Sequence, residues 1–323
     1  MRKYSVVIPV YNRPDELSEL LESLTHQRYK NFEVLVVDDG SRQRADEVTA
    51  AFGAKLSIQY FYKPNTGQGF SRNYGFERAT GDYFVVYDSD TIVPPQYFQE
   101  LDNALSHNWL DAFGGPDAAH PSFSDLQRAI SYSMTSIFTT GGIRGNKKNA
   151  GGAFQPRGFN MGLSRAVFEA TGGFAKRDAG EDVELSARLA QLHYKVGLIE
   201  TCFVYHKRRG TFGQFFWQIV QFGRTRVDLQ RQFGTPLKLV HALPAVFALG
   251  CVSVPFWYFV SSALFKFSLV VLGLFSLAIF VDATRLTKNV RVGALSVAAA
   301  FVQLTAYGFG FIGALFGRTP KTL

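Results

Sequence analysis

The sequence predicts an α/β domain with a largely parallel sheet, followed by a helical region attached to a membrane. Up to about Thr235, short apolar segments alternate with polar segments of helical periodicity, which is typical of alternating strands and helices. After Thr235, three long apolar runs are nearly free of charge, and a helix needs about 20 such residues to cross a bilayer. These observations divide the 323-residue chain into a polar and an apolar part.

The polar part contains four strand patterns and two clear helix patterns. The strands are recognised by their apolar runs, and the first helix by leucines that recur on one face. The predicted strands are Tyr4–Pro9, Phe32–Val37, Ile58–Tyr62 and Tyr83–Tyr87, and the predicted helices are Asp15–Gln27 and Gly69–Ala79. Ligands of parallel sheets bind beyond the carboxyl ends of the strands. The segments DDGS and DSD, which follow the second and fourth strands, therefore mark the predicted site.

Composition restricts the partners and the compartment. The formal net charge of +8 favours an anionic partner such as a nucleotide or a lipid surface, and we expect no nucleic acid. Cys202 and Cys251 lie far apart in apolar surroundings, so neither a disulfide framework nor a cysteine metal site is predicted. The N-terminus enters a strand pattern at once, without a signal-peptide pattern, so the polar part is expected in the cytoplasm.

The apolar runs are Val240–Val260, Phe267–Val281 and Ala294–Phe316. The middle run is long enough to cross a bilayer only if it begins near Leu264; buried helices of a soluble core are the alternative for all three. Basic residues in the segment DATRLTKNVR place the loop after the second run in the cytoplasm by the positive-inside rule. The basic tail would then lie outside, and this conflict leaves the number of crossings open.

A segment rich in aromatic residues connects the two parts. Its apolar side chains follow helical spacing, with glutamines and arginines as polar neighbours. The apolar positions are Phe212, Phe215, Phe216, Ile219 and Phe222. Such a helix just before a membrane span is typical of one that lies in the membrane interface. Packing of this helix on the polar domain is the alternative.

Two acids, Asp88 and Asp90, end the fourth predicted strand. If the backbone stays extended, both side chains point to one face, and paired carboxylates suit a hard divalent cation such as Mg²⁺ or Mn²⁺. Such an ion can neutralise the charge of a nucleotide diphosphate as it leaves. A solvated turn is the alternative for so short a pattern.

Three longer segments carry a family resemblance. Residues 5–41, 65–90 and 158–189 resemble glycosyltransferase family 2 in the order and spacing of their motifs, over about the first two thirds of the chain. The resemblance implies a GT-A fold with a Rossmann-like sheet, and an inverting transferase that uses a nucleotide-sugar. We therefore expect a GT-A catalytic domain over residues 1–208, an amphipathic interface helix over 209–236 and a membrane domain of about three helices over 237–323.

The resemblance also implies residues that bind the donor. Pro9 and Tyr11 would line the pocket for the base and ribose. Asp39 would accept a hydrogen bond from the base, uracil or its equivalent. Arg72 and Asn73 would help to hold the nucleotide, since a guanidinium suits phosphate or base contact.

Further members of the implied donor and metal site follow along the chain. Gly67 would allow close approach of the backbone to the nucleotide. Asp88 would lie near the ribose and the metal, with Asp90 as the direct metal ligand. His206 would be a further ligand of the metal or the diphosphate, with a structural histidine as the alternative. Arg209 could contact the donor phosphates, or its basic segment could face anionic lipid.

The segment GEDVELSARL resembles the catalytic acidic pair of the family. Asp182 is the implied general base, which takes the proton of the acceptor hydroxyl, and Glu181 would orient the acceptor. The alternative is a helix that begins with acids because a helix N-terminus favours them. The glycine-rich segment 139–162 is either a lid over donor and acceptor or a surface loop. Its basic residues are Arg144, Lys147, Lys148 and Arg157.

We predict a metal-dependent, inverting glycosyltransferase of the hexosyltransferase class. It would use a nucleotide-sugar, a UDP-sugar in the first instance, with Mn²⁺ or Mg²⁺, and act on a lipid-linked or glycan acceptor in cell-envelope synthesis. Its catalytic domain would face the cytoplasm at a bacterial inner membrane, with membrane lipids as partners. The alternatives are a polyprenyl-phosphate sugar synthase, a processive polysaccharide synthase and a non-catalytic membrane scaffold. Thr225 replaces the tryptophan of the processive Q-x-x-R-W signature, and the intact acids disfavour the scaffold.

Overall fold

The structure is a computed structural model that describes residues 2–140, 154–176 and 178–317. Within these ranges the chain forms two compact units. The first unit holds residues 2–118 and the described part of 154–207, and the second holds residues 119–140 and 208–317. Residues 119–140, which the expected domain 1–208 includes, therefore cluster with the second unit.

The sheets belong to the first unit. Its strands are β1 (Tyr4–Val10), β2 (Phe32–Asp38), β3 (Ile58–Tyr62), β4 (Tyr83–Tyr87), β5 (Thr91–Ile92), β6 (Ala112–Gly114), β7 (Asp117–Ala118), β8 (Asn160–Ser164), β9 (Val196–Leu198) and β10 (Val204–His206). Seven of them form one sheet in the order β3-β2-β1-β4-β8-β6-β9. The first four run parallel, whereas β8 runs antiparallel to both of its neighbours, so the sheet is mixed.

Helices alternate with the strands along the first unit and continue into the second. The helices are α1 (Pro14–Thr25), α2 (Asp46–Ala51), α3 (Gln68–Phe76), α4 (Tyr97–His107), α5 (Asp125–Thr135), α6 (Ile137–Thr140), α7 (Arg165–Thr171), α8 (Glu181–Gln191), α9 (Phe212–Phe233), α10 (Leu239–Val260), α11 (Ser262–Thr287) and α12 (Val290–Phe316).

The central strands separate two hydrophobic cores. Successive side chains of a strand point to opposite faces, so Val6 and Ile8 of β1 pack with the leucines of α1, whereas Val7 packs with Phe76 of α3 and Leu185 of α8. Strands β1, β2 and β4 are buried along their whole length. This double coverage explains why these strands are read as continuous apolar runs.

A second, three-stranded sheet lies beside the end of β4. Its order is β5-β10-β7, with β10 antiparallel to β5 and parallel to β7. The register places His206 of β10 opposite Thr91 of β5. Because β5 begins one residue after Asp90, this pairing brings His206 to the turn that carries the two acids.

The second unit is a set of helices. Among the described residues, α10, α11 and α12 are long and apolar enough to cross a membrane, judged by length and composition. Only 11% and 6% of the most apolar windows of α10 and α11 are buried, against 50% for α12. Helix α12 is therefore the central helix of the unit, and α10 and α11 present most of their apolar surface outward.

Helix α9 packs closely on α12 through glycines. A Cβ atom at Gly223 would lie 2.3 Å from the carbonyl oxygen of Tyr307, and one at Gly310 would lie 2.1 Å from that of Val220. Small residues let helix backbones approach in this way. Part of the aromatic stripe of α9 is thus buried against α12, and the interface location of α9 stays a prediction.

Polar bonds attach α5 to the C-terminal part of α11 and to the loop that follows it. The hydroxyl of Tyr132 donates to Asp282 at 2.6 Å, and Arg128 donates to the carbonyl of Thr287 at 3.1 Å. The side-chain Nδ2 of Asn289 donates to Oδ1 of Asp125 at 3.2 Å. These bonds, with the apolar packing of α5 on α12, explain why residues 119–140 cluster with the second unit.

The predicted fold class is confirmed. The four predicted strands match β1 to β4 to within one residue at each end, and both predicted helices exist as α1 and α3. The three apolar runs are helices. The sheet is less parallel than its first four strands indicate, because β8 inserts antiparallel between β4 and β6.

Candidate active site

Asp88, Asp90 and His206 come together where β4 ends. One possible ligand atom from each lies within 4.8 Å of the others, and Nε2 of His206 lies 3.1 Å from Oδ1 of Asp90. Adjacent ligands of an octahedral Mg²⁺ or Mn²⁺ are about 3 Å apart, given metal–oxygen distances near 2.1 Å. Two carboxylates and one imidazole at this spacing fit a divalent cation of the Mn²⁺ type.

Two arginines hold the acids of this cluster, which we call the DSD cluster. Nη1 of Arg13 lies 2.9 Å from Oδ2 of Asp90, and Nη2 of Arg72 lies 2.7 Å from Oδ1 of Asp88. The positive charges offset the repulsion between the two carboxylates. Each acid therefore has one oxygen oriented by an arginine.

The imidazole of His206 is oriented by its surroundings. Its Nδ1 lies 3.8 Å from the buried carboxylate of Asp117, and its ring centroid lies 4.9 Å from that of Phe159. Nδ1 therefore faces Asp117, and Nε2 faces Asp90 in the cluster. This arrangement supports a ligand role for Nε2.

Asp39 is buried beneath the loop that follows β3. It accepts hydrogen bonds from the backbone amides of Thr66 (2.9 Å) and Gly67 (2.8 Å) and forms an ion pair with Lys63. A carboxylate offers about four acceptor positions, so these bonds leave capacity for about one more. Gly67 has a positive φ of 91°, and its amide binds Asp39.

The ends of β1 and β2 are joined by side chains of the loop residues. Pro9 is buried opposite Val37, whereas Tyr11 is half exposed. Asn12 adopts a left-handed conformation with φ of 54°, and its side chain accepts from the amide of Arg42 at 2.8 Å. Tyr11 is thus the accessible member of the predicted base pocket.

Asn73 binds the backbone of Phe174 in both directions. Its Nδ2 donates to the carbonyl of Phe174 at 2.8 Å, and its Oδ1 accepts from the amide of the same residue at 2.9 Å. The side chain predicted to hold the nucleotide is therefore engaged within the protein, where it fixes the segment before α8.

Asp182 lies in the first turn of α8, which begins after the left-handed Gly180. Its carboxylate accepts from the amides of Gly158 (3.1 Å) and Val183 (2.7 Å) and is partly exposed. A helix N-terminus stabilises negative charge. Backbone amides orient this carboxylate and leave acceptor positions for a substrate hydroxyl.

Arg72 and Glu181 are buried and paired with each other, and the roles predicted for them in donor binding and acceptor orientation stay predictions. Arg72 is fully buried and Glu181 is 3% exposed; Oε1 of Glu181 accepts from Arg72 at 2.6 Å and from Gln68 at 2.7 Å. Burial raises the pKa of Glu181, and Arg72 opposes this shift. Burial alone lowers the pKa of Arg72, but the charges of Asp88 and Glu181 raise it.

Arg209 and the predicted lid are the remaining predicted residues. Arg209 belongs to the second unit, and its role stays a prediction. Of the predicted lid, Arg157 is described and bridges to Asn160. Arg144, Lys147 and Lys148 lie outside the described residues.

Three residues of the site were missed from the sequence. Lys63 directly follows β3, and Arg13 lies three residues after the end of β1, so the rule that sites lie at the carboxyl ends of strands could have found them. Gly158 carried no local signal, because its role depends on Arg72, 86 residues away.

The family model for Glycosyl transferase family 2 matches residues 5–172, just over half of the chain. Curated relatives match shorter stretches. An uncharacterized glycosyltransferase of Rickettsia felis is 43% identical over 90 residues, 28% of this chain and 15% of the relative. The uncharacterized glycosyltransferase YibD of Escherichia coli is 32% identical over 110 residues, 34% of this chain and 32% of the relative. The matched stretch thus spans a third or less of these relatives.

Solved structures share the fold over most of the chain. The mannosyltransferase PcManGT of Pyrobaculum calidifontis, in complex with GDP-Man and Mn²⁺, superposes with a TM-score of 0.54 at 16% identity, covering 98% of this chain and 87% of that one. Glucosyl-3-phosphoglycerate synthase of Mycobacterium tuberculosis, with Mn²⁺, UDP and phosphoglyceric acid, gives 0.52 at 16% identity, covering 73% and 80%. These similarities show that the fold is that of GT-A glycosyltransferases.

Proposed function

The chain belongs to glycosyl transferase family 2, and from this premise we propose that it transfers a sugar from a nucleotide-sugar to an acceptor hydroxyl at a membrane. The observation that carries the proposal is the DSD cluster at the carboxyl end of β4. Its donor set suits the divalent cation that a leaving diphosphate requires. The structural neighbours whose complexes contain Mn²⁺ with GDP-Man or UDP are consistent with this chemistry.

The nucleotide is assigned to the ends of β1 and β2. Tyr11 offers an accessible aromatic side chain there, and Pro9 lies beside it. Asp39 retains about one acceptor position after its bonds to Thr66, Gly67 and Lys63. One remaining acceptor suits the single ring N–H of uracil better than the paired donors of guanine, which favours a UDP-sugar.

The cation site is assigned to Asp88, Asp90 and His206. A divalent ion bound there would neutralise the negative charge that develops on the leaving diphosphate. Arg13 orients Asp90 through Oδ2, and Arg72 orients Asp88 through Oδ1. The other oxygen of each acid is the proposed ligand of the ion.

Asp182 is assigned as the general base. It takes the proton of the acceptor hydroxyl as that oxygen bonds to the anomeric carbon and the bond to the diphosphate breaks. A single displacement of this kind inverts the configuration. The partial exposure of Asp182 and its backbone hydrogen bonds support this role, because they keep the carboxylate oriented and accessible.

The acceptor is proposed to be lipid-linked. Three apolar helices of spanning length, two of them with most of their surface outward, support attachment to a bilayer. The exposed basic residues Arg285, Lys288 and Arg291, at the end of α11, in the loop and at the start of α12, favour a cytoplasmic location for that loop. A membrane-bound acceptor in cell-envelope synthesis fits such an enzyme.

The test uses the full chain purified in detergent. The protein is incubated with Mn²⁺, a bacterial lipid extract and a panel of radiolabelled UDP- and GDP-sugars. We expect one UDP-sugar to give label in the organic phase only when Mn²⁺ is present. Acid-labile label would assign the product to a polyprenyl-phosphate sugar, and absence of transfer from every donor would contradict the proposal.

A further inference from the structure

Arg72 joins two acidic motifs that lie far apart in the chain. Its Nη2 lies 2.7 Å from Oδ1 of Asp88 in the DSD cluster, and its Nη1 lies 2.6 Å from Oε1 of Glu181 at the start of α8. Its side chain is fully buried, whereas Asp88 remains 32% exposed. The guanidinium therefore lies behind the site and presents Asp88 from the protein side.

The backbone of Gly158 extends this link to Asp182. Its carbonyl accepts from Nη2 of Arg72 at 3.3 Å, and its amide donates to Oδ2 of Asp182 at 3.1 Å. A Cβ atom at this position would lie 2.7 Å from Nη2 of Arg72. The position requires glycine because the guanidinium occupies the space of a side chain.

We propose that Arg72 is a positioning residue that couples the cation-binding acid Asp88 to the Glu181–Asp182 turn. It fixes Asp88 and the turn that carries the proposed base relative to each other. It also divides its positive charge between Asp88 and Glu181. This inference rests on the proposed function, because it takes Asp88 as a ligand of the cation and Asp182 as the base.

The coupling predicts that the charge of Glu181 influences the affinity for the cation, although Glu181 is not one of the proposed ligands. If Glu181 loses its charge, Arg72 pairs with Asp88 alone, and the surroundings of the cation site become more positive by one unit. Both changes oppose a divalent cation at Asp88. Loss of an outer partner of a metal ligand typically lowers metal affinity by about 10- to 100-fold.

The experiment compares two glutamates of the same helix turn. Glu181→Gln removes the charge linked to Arg72, and Glu184→Gln removes an equally buried charge that is paired with Arg188 at 2.9 Å. Binding of Mn²⁺ to the full chain in detergent is measured by electron paramagnetic resonance. We expect the dissociation constant to rise about tenfold in Glu181→Gln and to stay unchanged in Glu184→Gln.

Equal Mn²⁺ affinities of Glu181→Gln and the wild-type protein would overturn the coupling. If Glu181→Gln fails to fold, Gly158→Ala decides, because it displaces the guanidinium without removing any charge; a weaker Mn²⁺ site in this variant supports the coupling, and an unchanged one overturns it. Gly213→Ala is its control, since nothing lies within 4 Å of the added atom. A wild-type protein that binds no Mn²⁺ would contradict the proposed function itself, so the two failures are distinguishable.

Discussion

The two acidic pairs of the site look alike in the sequence and differ in the structure. Asp88 and Asp90 follow a strand, and Glu181 and Asp182 begin a helix. The first pair is held by side chains that carry or can carry positive charge, from two arginines and His206. In the second pair, Asp182 is held by backbone amides, and Glu181 is buried against Arg72.

This difference separates the chemistry of the two pairs. Carboxylates that already lie beside cations and an imidazole form a site for which a metal ion can compete. A partly exposed carboxylate held only by amides at a helix start is stable as an anion and accessible to a proton. The surroundings of the acids, more than their spacing, therefore support the proposal that one pair binds the cation and that one acid of the other pair takes the proton.

The largest expected effect is the loss of turnover when an acid of the second pair is replaced. Asp182→Asn removes the base while the amide keeps the shape of the side chain, so we expect kcat to fall about 10³-fold, within the range of general-base catalysis. Donor binding, measured by calorimetry, should stay unchanged. Asp178→Asn, four residues earlier and exposed, is the control. Full turnover by Asp182→Asn would remove Asp182 from the mechanism.

The next largest effect is the loss of Mn²⁺ affinity when an acid of the first pair is replaced. Asp90→Asn weakens a carboxylate ligand, and we expect Mn²⁺ affinity to fall about 100-fold, at the upper end of the losses known for outer partners of metal ligands. The matched control is Asp102→Asn. The carboxylate of Asp102 pairs with Arg2 at 3.3 Å and is not part of the cluster. A Mn²⁺ titration that is the same for Asp90→Asn and the wild-type protein would refute the cation site.

A smaller effect on Mn²⁺ affinity is expected when Arg13, the partner of Asp90, is replaced. Arg13→Met frees Oδ2 of Asp90, so the carboxylate loses its orientation, and we expect about a tenfold loss of Mn²⁺ affinity. Arg13→Lys should restore part of it, because an ammonium can replace one contact of the guanidinium. Arg78→Met serves as the control, because Arg78 pairs with Glu77 at 3.3 Å and with no acid of the cluster. A tighter rather than weaker Mn²⁺ site in Arg13→Met would show that Arg13 competes with the ion.

The smallest effect concerns a buried acid outside both pairs. Glu33 accepts from Ser5 at 2.6 Å and from the amide of Thr80 at 2.6 Å. Burial alone would raise the pKa of Glu33, but these hydrogen bonds and the charge of Lys3 lower it overall. A pKa that is lower in the folded state stabilises the protein above the unfolded value near 4.3 and loses this effect as pH falls through the folded value.

Glu33→Gln should therefore lower the free energy of unfolding at pH 7 by about 1 kcal/mol, the difference between a charged and a neutral acceptor. At a pH below both pKa values, Glu33 is protonated in the folded and unfolded states, and the two proteins should differ little. Thermal melts at the two pH values measure this. A constant difference across pH would mean that shape, and not charge, matters at this position.

The sequence predicts those parts of the site that depend on local order along the chain. Asp39, Asp88 and Asp90 follow apolar strands, so the strand-end rule locates them. The three apolar helices are evident from hydropathy, because the bilayer imposes a length and a composition.

Other features depend on contacts between distant residues. The motif around Arg72 predicts a contact with the nucleotide. Nothing in that motif predicts the ion pair with Glu181, which is 109 residues away. The sequence pattern around Asp182 fits a base and a helix start, but nothing local predicts that its carboxylate accepts from the amide of Gly158, 24 residues away. The clustering of α5 with the second unit depends on contacts with Asp282 and Thr287. No sequence pattern within α5 predicts these contacts.

The most direct test is UDP binding to the full chain in detergent, with and without Mn²⁺, in the wild-type protein and in Asp90→Asn. Calorimetry should show that the wild-type protein binds UDP tightly only with Mn²⁺, and that Asp90→Asn loses this dependence together with most of the affinity. Wild-type binding of UDP that is equally tight without a divalent ion would contradict a cation held between Asp88, Asp90 and His206.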